Sequence, residues 1–502
     1  MKPEDFERVK PGFFAPRGAK FVGKARGLLE TADLIHELKL SYPIPSIYIP
    51  PEFAEGFLER NGRLGTGNVG EMEPARFSTE EISLLKWIYS KYERFWETCP
   101  REFYGPLAVR GALEGEDSLE TRLPGVGKTC FSWEDGVGEN RPVQFLKAVK
   151  KVVLAGAGQQ AEELEREYGT SASPGLLIQP AIGRIPENLN LNARPHHSFK
   201  PLYAGQLNTA RRDIAKLSVV KDSLGTAVVE DTLRNVPTFA YDKGDGRITG
   251  GRGEQEDSDS IVQGEIQLHR EALVSNTIES HAFPKALVER VFRDGLELER
   301  RVGYGPEHGA HIEFATEFFD PVEPWPLCIL QIAPIRKFSS PVEIPAEAAV
   351  VSGELCVGSS DRTYSQAYVL PTYLNMHDPD LKSATLLLAE YDRAHEGYLL
   401  VVPDSFLKTG VEEQFRERFP HAGGVLCFAD EYHRRSADTH WLEGYRDRKT
   451  PFASVVAEYP RMAHLGIPND LWTPNKGRAI SLERQVRIVT DEDAENVWVG
   501  FA

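Results

Sequence analysis

His311-Ile312-Glu313-Phe314-Ala315, followed by Leu330-Gln331-Ile332-Ala333-Pro334, is the stretch on which the fold turns. Each segment is short and apolar apart from one oxygen-bearing side chain, Glu313 in the first and Gln331 in the second. Between them runs Phe319-Asp320-Pro321-Val322-Glu323-Pro324-Trp325-Pro326, a proline-rich connection that no helix crosses. The pattern predicts two neighbouring antiparallel strands, each placing one oxygen in a shared cleft. A carboxylate with an amide oxygen suits a hard cation such as Mg²⁺, which keeps waters and phosphates as its other ligands. A hairpin with both side chains in solvent has the same spacing.

The rest of the composition narrows the function classes. The chain has 502 residues, enough for roughly three domains on length alone. A net charge of −17 argues against a general nucleic-acid or anionic-membrane binder. An anionic ligand such as ATP therefore requires a local cluster of positive charge. The 5 cysteines are scattered, with no Cys-x-x-Cys pair, so neither a disulfide framework nor a zinc site is indicated. Met1 to Phe6 lacks the apolar run of a signal peptide, and no apolar run approaches the ~18 residues of a membrane span. The expectation is a cytoplasmic protein with no membrane or nucleic-acid partner.

Several segments outside the opening stretch carry chemistry. Residues 19–30 read as a strand end, a turn at Gly23 and a helix, with Lys24 at the helix entry, where backbone N–H groups favour an anion. A solvated lysine is the bland alternative. Residues 79–98 read as an amphipathic helix capped by Ser78 or Thr79. Leu107-Ala108-Val109 reads as a buried strand with Arg110 emerging at its end, placed to grip phosphate with its planar fork.

Gly127-Lys128-Thr129 matches the tail of a Walker A loop, but position 122 is arginine where glycine is needed. The segment instead reads as a loop around Gly125 and Gly127 that folds over phosphates. Residues 141–168 and 284–303 read as helices. Leu176 to Pro180 reads as a strand presenting Gln179. His196-His197 lacks a third metal ligand and reads as a surface loop. Ser223 to Val229 reads as a glycine turn entering a strand, and residues 243–260 as a polar, mobile loop. After Arg336-Lys337, short strands at 349–351, 385–388, 398–402 and 424–428 alternate with helical segments, a separate α/β domain.

In order and spacing, Phe21-Val22-Gly23-Lys24 to Leu28, Val109-Arg110 to Asp117, Pro124-Gly125 to Thr129, Ile178-Gln179 to Ile182, Ser223 to Val229, and the opening pair of segments form a series. That series resembles the ATP-binding domain of the phosphoenolpyruvate synthase and pyruvate phosphate dikinase family, a member of the ATP-grasp group. The resemblance covers residues ~20–335. It implies an α+β fold: an ATP-grasp nucleotide-binding domain over residues 1–340, then a smaller α/β domain over 341–502, a degenerate relative of the family's swivelling phosphohistidine domain.

The resemblance also implies an ATP- and Mg²⁺-dependent phosphotransferase acting on a small molecule or on a histidine of a separate acceptor protein. Lys24 and Arg110 would hold phosphates and serve catalysis. Gly125 and Thr129 would contact ATP, Gln179 would lie near the adenine, and Glu313 and Gln331 would hold the metal. The chain departs from the family where its two serines are Gly111 and Ala112, where its loop glutamine is Val126, and where its last arginine is Ala333. Phe452 stands where the family's phosphorylated histidine would be, and His440 is an alternative acceptor. Two other readings follow: a catalytically diverged ATP-binding regulatory subunit, and an ATP-grasp ligase that forms an acyl phosphate.

Overall fold

The computed structural model describes residues 1–38, 45–61, 76–98, 106–115, 129–132, 141–155, 173–182, 203–221, 238–250, 285–316, 327–337, 342–347, 349–353, 355–357, 359–370, 379–403, 421–429, 451–456, 464–467, 478–491 and 496–502. The fold is mixed α+β. The chain divides into two compact units, the first made mostly of residues up to Ile335 and the second mostly of Arg336–Ala502.

The first unit holds two six-stranded sheets. The first contains β1 (Phe6–Lys10), β2 (Phe13–Pro16), β3 (Ser46–Ile49), β4 (Leu107–Ala112), β5 (Thr129–Phe131) and β6 (Gly175–Pro180), in the order β1-β2-β3-β6-β4-β5. Alternation assigns its faces. Ile47, Ile49, Leu107, Val109, Cys130, Leu176 and Ile178 bury one face with residues of α2 (Pro51–Arg60), α3 (Thr79–Thr98) and α4 (Arg141–Ala155). The intervening residues Tyr48, Ala112 and Leu177 join a different core, shared with α1 (Gly23–Glu37). α3 starts at a capping box: Glu81 N–H donates to Ser78 Oγ at 3.2 Å, and Ser78 N–H donates to the Glu81 carboxylate at 2.7 Å.

The second sheet contains β7 (Tyr203–Asn208), β8 (Ile214–Lys221), β9 (Thr238–Asp242), β10 (Ile248–Gly250), β11 (His308–Thr316) and β12 (Cys328–Arg336) in the order β10-β9-β8-β7-β11-β12. Leu207, Ile312 and Phe314 share a small apolar cavity wall with Val291, Gly295 and Leu298 of α5 (Lys285–Val302). At Gly295 the helix approaches so closely that a Cβ would stand 2.1 Å from a Leu207 methyl. The alternate residues of β7 and β11, Gln206, His311 and Glu313, therefore lie on the sheet's other face.

The second unit is built on one eight-stranded sheet. Its strands are β13 (Val351–Gly353), β14 (Leu355–Val357), β15 (Ser360–Val369), β16 (Leu399–Pro403), β17 (Gly424–Ala429), β18 (Phe452–Val456), β19 (Arg478–Asp491) and β20 (Asn496–Phe501), in the order β13-β20-β19-β15-β16-β17-β18-β14. β15 to β18 run parallel, and β19, β20 and the two end strands add antiparallel pairs. The strands at opposite ends of this order are separated in sequence by residue 354 alone, so the sheet curls until its two ends come together. Ala367, Val369, Leu399, Val401, Ala453, Val455, Val486, Ile488, Val497 and Val499 fill a common core. Tyr368 points the other way, and its ring lies 5.1 Å from that of Tyr391 on α6 (Pro379–Ala394).

Three local readings change. Thr385–Leu388 is part of α6 and not a strand. A four-residue apolar run does not distinguish the two, and here only Leu388 is fully buried while Leu386 and Leu387 are exposed. Residues 243–247 are an ordered hairpin turn between β9 and β10, not part of a mobile loop. Asp242 Oδ1 accepts from the N–H groups of Gly244 and Asp245, and Gly246 takes a φ of 76°. No strand runs into the Gly23 turn either: β2 ends at Pro16 and residues 19–22 are irregular. The readings at residues 156–168, 223–229 and 251–260 and at His196-His197 lie outside the described residues.

Candidate functional site

The side chains singled out in the opening stretch are buried, and both meet the same guanidinium. Arg110 Nη2 donates to Gln331 Oε1 at 2.6 Å and to Glu313 Oε2 at 3.3 Å, while Nη1 donates to the Leu330 carbonyl at 2.6 Å. Arg110 is 7% exposed, Glu313 2% and Gln331 4%. Glu313 and Gln331 sit on β11 and β12, neighbours in the second sheet, and Arg110 reaches them from β4 of the first. His311, two residues before Glu313 on the same strand face, brings Nε2 to 3.6 Å from Glu313 Oε1.

The strand register explains which other residues share Arg110's face. Thr129 is the cross-strand partner of Arg110 on β5, and Gln179 on β6 is the partner of Ala108. Partners across an antiparallel ladder point to the same side, as do residues two apart on one strand. Thr129 and Gln179 therefore stand on the side of the sheet from which Arg110 projects, opposite the helices α2, α3 and α4. The Gln179 amide donates to Ser46 Oγ at 2.9 Å.

Lys24 arrives by a different route. Gly23 opens α1 with a φ of 49°, in the left-handed region that favours glycine. Val22 at the N-cap supplies no side-chain hydrogen bond, and no acidic residue lies in the first turn. The helix thus starts without a side-chain cap from its N-cap residue, and Lys24 is its second residue, 9% exposed. One turn on, a Cβ on Gly27 would stand 2.3 Å from the Ile332 carbonyl oxygen. This close approach sets the helix that carries Lys24 against β12, beside Gln331. Burial also pushes the Tyr48 phenol far above its usual range, and its hydroxyl donates to the Lys20 carbonyl at 3.1 Å.

Of the expected site residues, the structure thus joins Arg110, Glu313 and Gln331 directly. It puts Thr129 and Gln179 on the sheet face that bears Arg110, and Lys24 on the helix packed against β12. Gly125 and Val126 lie outside the described residues, as does His440. Phe452 is the first residue of β18 and is fully buried. Ala333 on β12 is also fully buried.

The donor set fits a hard divalent cation in one respect: a carboxylate and an amide oxygen converge on a single positively charged nitrogen. A metal at those oxygens would require Arg110 to turn away from them. Among the described residues there is no cluster of three or more His, Cys, Asp or Glu side chains suited to a metal.

Sequence reasoning missed Gln206. It is the cross-strand partner of Glu313 on β7, is buried, and its Nε2 has no hydrogen-bond partner among the described residues. The alternation of Gln206 and Asn208 with Leu207 was the available signal. Compared with known proteins, the chain matches no family model, and a search of the curated proteins finds no match. No helix among the described residues is long and apolar enough to cross a membrane.

Proposed function

We propose that the first unit is an ATP-grasp-type domain that binds ATP with Mg²⁺ and transfers a phosphoryl group to a small molecule or to a histidine on another chain. The observation that carries this reading is the convergence of Arg110, Glu313 and Gln331, three buried polar side chains from different strands, on one another's hydrogen-bonding groups. In a chain of net charge −17, a polyphosphate needs such a local cationic group.

Phosphoryl transfer asks little covalent chemistry of the protein; positioning and charge stabilisation account for most of it. Glu313 and Gln331 would hold Mg²⁺, which when bound offsets the charge of the phosphate oxygens. Arg110 would exchange its two side-chain oxygens for phosphate oxygens, using the same planar fork. Lys24 and the N–H groups of the first turn of α1 would hold a further phosphate. The Thr129 hydroxyl would donate beside Arg110, and Gln179 would face the adenine.

The second unit would be a diverged swivelling domain. Phe452 carries no nucleophilic nitrogen, so an acceptor histidine in this reading is His440 or belongs to another protein. Two observations favour an alternative, an ATP-binding regulatory subunit that has lost turnover: Arg110 already has three protein oxygens as partners, and Ala333 supplies no cation. An ATP-grasp ligase is a third reading.

Incubation of the protein with ATP and Mg²⁺, followed by separation of the nucleotides, tests all three. AMP plus phosphate supports dikinase chemistry. ADP supports a kinase or a ligase, which omission of candidate acceptors separates. Binding without turnover supports the regulatory subunit. Absence of any nucleotide binding overturns every one of these readings.

A further inference from the structure

We propose that Gln206 is a phosphate-positioning residue beside Arg110 and Glu313, donating from its side-chain amide to an oxygen of the bound polyphosphate. The inference rests on the nucleotide reading above but on a different observation. Gln206 is 6% exposed, and its Nε2 has no hydrogen-bond partner among the described residues. A buried amide nitrogen left without an acceptor is costly, and native chains retain such groups where a ligand satisfies them.

The register says where this donor points. Gln206 is paired with Glu313 across the antiparallel β7–β11 ladder, so the two side chains rise from the same face with Cβ atoms about 5 Å apart. The neighbouring residues Leu207 and Ile312 are likewise paired and turn to the apolar side, against α5. Gln206 therefore stands on the face from which Glu313 meets Arg110.

The chemistry of that position selects the ligand group. Nε2 is a donor only, with two N–H bonds and no acceptor capacity. A ligand group that shares a cation with Glu313 presents anionic oxygens, and phosphate is the group that does so in a nucleotide site. A neutral amide there adds hydrogen bonds to the phosphate without competing with Glu313 for the cation.

The test uses the full chain with Mg²⁺ and β,γ-imido-ATP, and separately with Mg²⁺ and pyrophosphate, by titration calorimetry. Gln206→Leu and Gln206→Met remove the donor and keep the bulk. A hydrogen bond to a charged group corresponds to a roughly tenfold or larger change in affinity. Both variants are expected to bind both ligands at least about tenfold more weakly, with a melting temperature equal to or above that of the parent chain, because no hydrogen bond from Nε2 to a described residue is broken. If the parent chain binds and the variants bind equally well, the assignment of Gln206 is overturned while the nucleotide reading stands. If both variants melt well below the parent, the amide has a structural partner and the assignment is again overturned. If the parent chain binds neither ligand, the nucleotide reading itself fails, and this inference with it.

Discussion

Arg110→Ala separates a structural ion pair from a poised metal site. In the folded chain the guanidinium holds three oxygens, and the carboxylate of Glu313 beside it is almost wholly shielded from water. Removing one partner of a buried pair strands the other, which typically costs about 3–5 kcal/mol. For a unit of this size about 1 kcal/mol corresponds to roughly 2–4 °C, so the melting temperature should fall by on the order of 10 °C. The variant also exposes Glu313 Oε2 and Gln331 Oε1 to any other cation. Added Mg²⁺ or Mn²⁺ should then restore stability in the variant, by about 2.7 kcal/mol at a hundredfold excess over the dissociation constant. The parent chain, whose guanidinium already occupies that place, should respond much less to metal without nucleotide. Thermal denaturation of both proteins across a metal titration measures this. A variant as stable as the parent without metal would refute the reasoning about the buried pair. A destabilised variant that metal does not rescue would refute the reasoning about the two oxygens.

Other perturbations have definite signs. Gly27→Ala should destabilise by about 1–3 kcal/mol, because the new methyl meets a backbone carbonyl 2.3 Å away that no rotamer change can move; a denaturant midpoint unchanged from the parent would contradict the close approach of α1 to β12. Tyr92 is fully buried, desolvation holds its phenol well above the usual range, and its hydroxyl donates to the Ile178 carbonyl. An acid whose folded pKa is raised adds stability that is complete below its unfolded pKa of about 10 and fades as pH rises above it, by up to about 1.4 kcal/mol per pH unit. Tyr92→Phe should cost about 1 kcal/mol at neutral pH for the lost hydrogen bond yet flatten the alkaline limb, and an unaltered alkaline slope in pH-resolved unfolding would argue against it. The hydrogen bond from Arg487 lowers the pKa of Asp361, so the stability it adds is present above the unfolded value of about 3.9 and is lost as pH falls through the depressed one. Because both side chains are more than a third exposed, solvent limits the effect of Asp361→Asn to at most about 1 kcal/mol; a larger loss at neutral pH would mean the pair is less screened than its exposure indicates.

Much of the fold could be read from local chemistry. The Ser78–Glu81 capping pair and the apolar spacing after it mark α3, and the short apolar segments around Val109, Ile178, Glu313 and Gln331 are strands. Those signals act over a few residues, where side-chain spacing and backbone geometry are tightly linked. Thr385–Leu388 belongs to a helix that its sequence does not reveal, because a run of consecutive leucines has neither a two-residue nor a helical rhythm. The site was legible only in its parts. Glu313 and Gln331 stand out as polar residues in apolar strands, but nothing local indicates that Arg110, 203 residues before Glu313, donates to both. That contact depends on two sheets and a glycine-bearing helix between them, and pairing at such separations is a property of the assembled chain. Gln206 stayed hidden for the same reason: its partner across the ladder is more than a hundred residues away.

The curled sheet of the second unit has a consequence for how the protein is made. Its first strand, at Val351, hydrogen-bonds along the strand containing Val499, almost 150 residues later. As the ribosome delivers the polypeptide, that early strand must wait for almost the entire unit to emerge before it finds its mate, and such distant pairings form slowly. Meanwhile Val351–Gly353 and the long β19 each present unsatisfied amides to any passing chain. Deleting the seven residues from Asn496 to Ala502 would make that transient hazard permanent, and nascent-chain aggregation should be the first symptom.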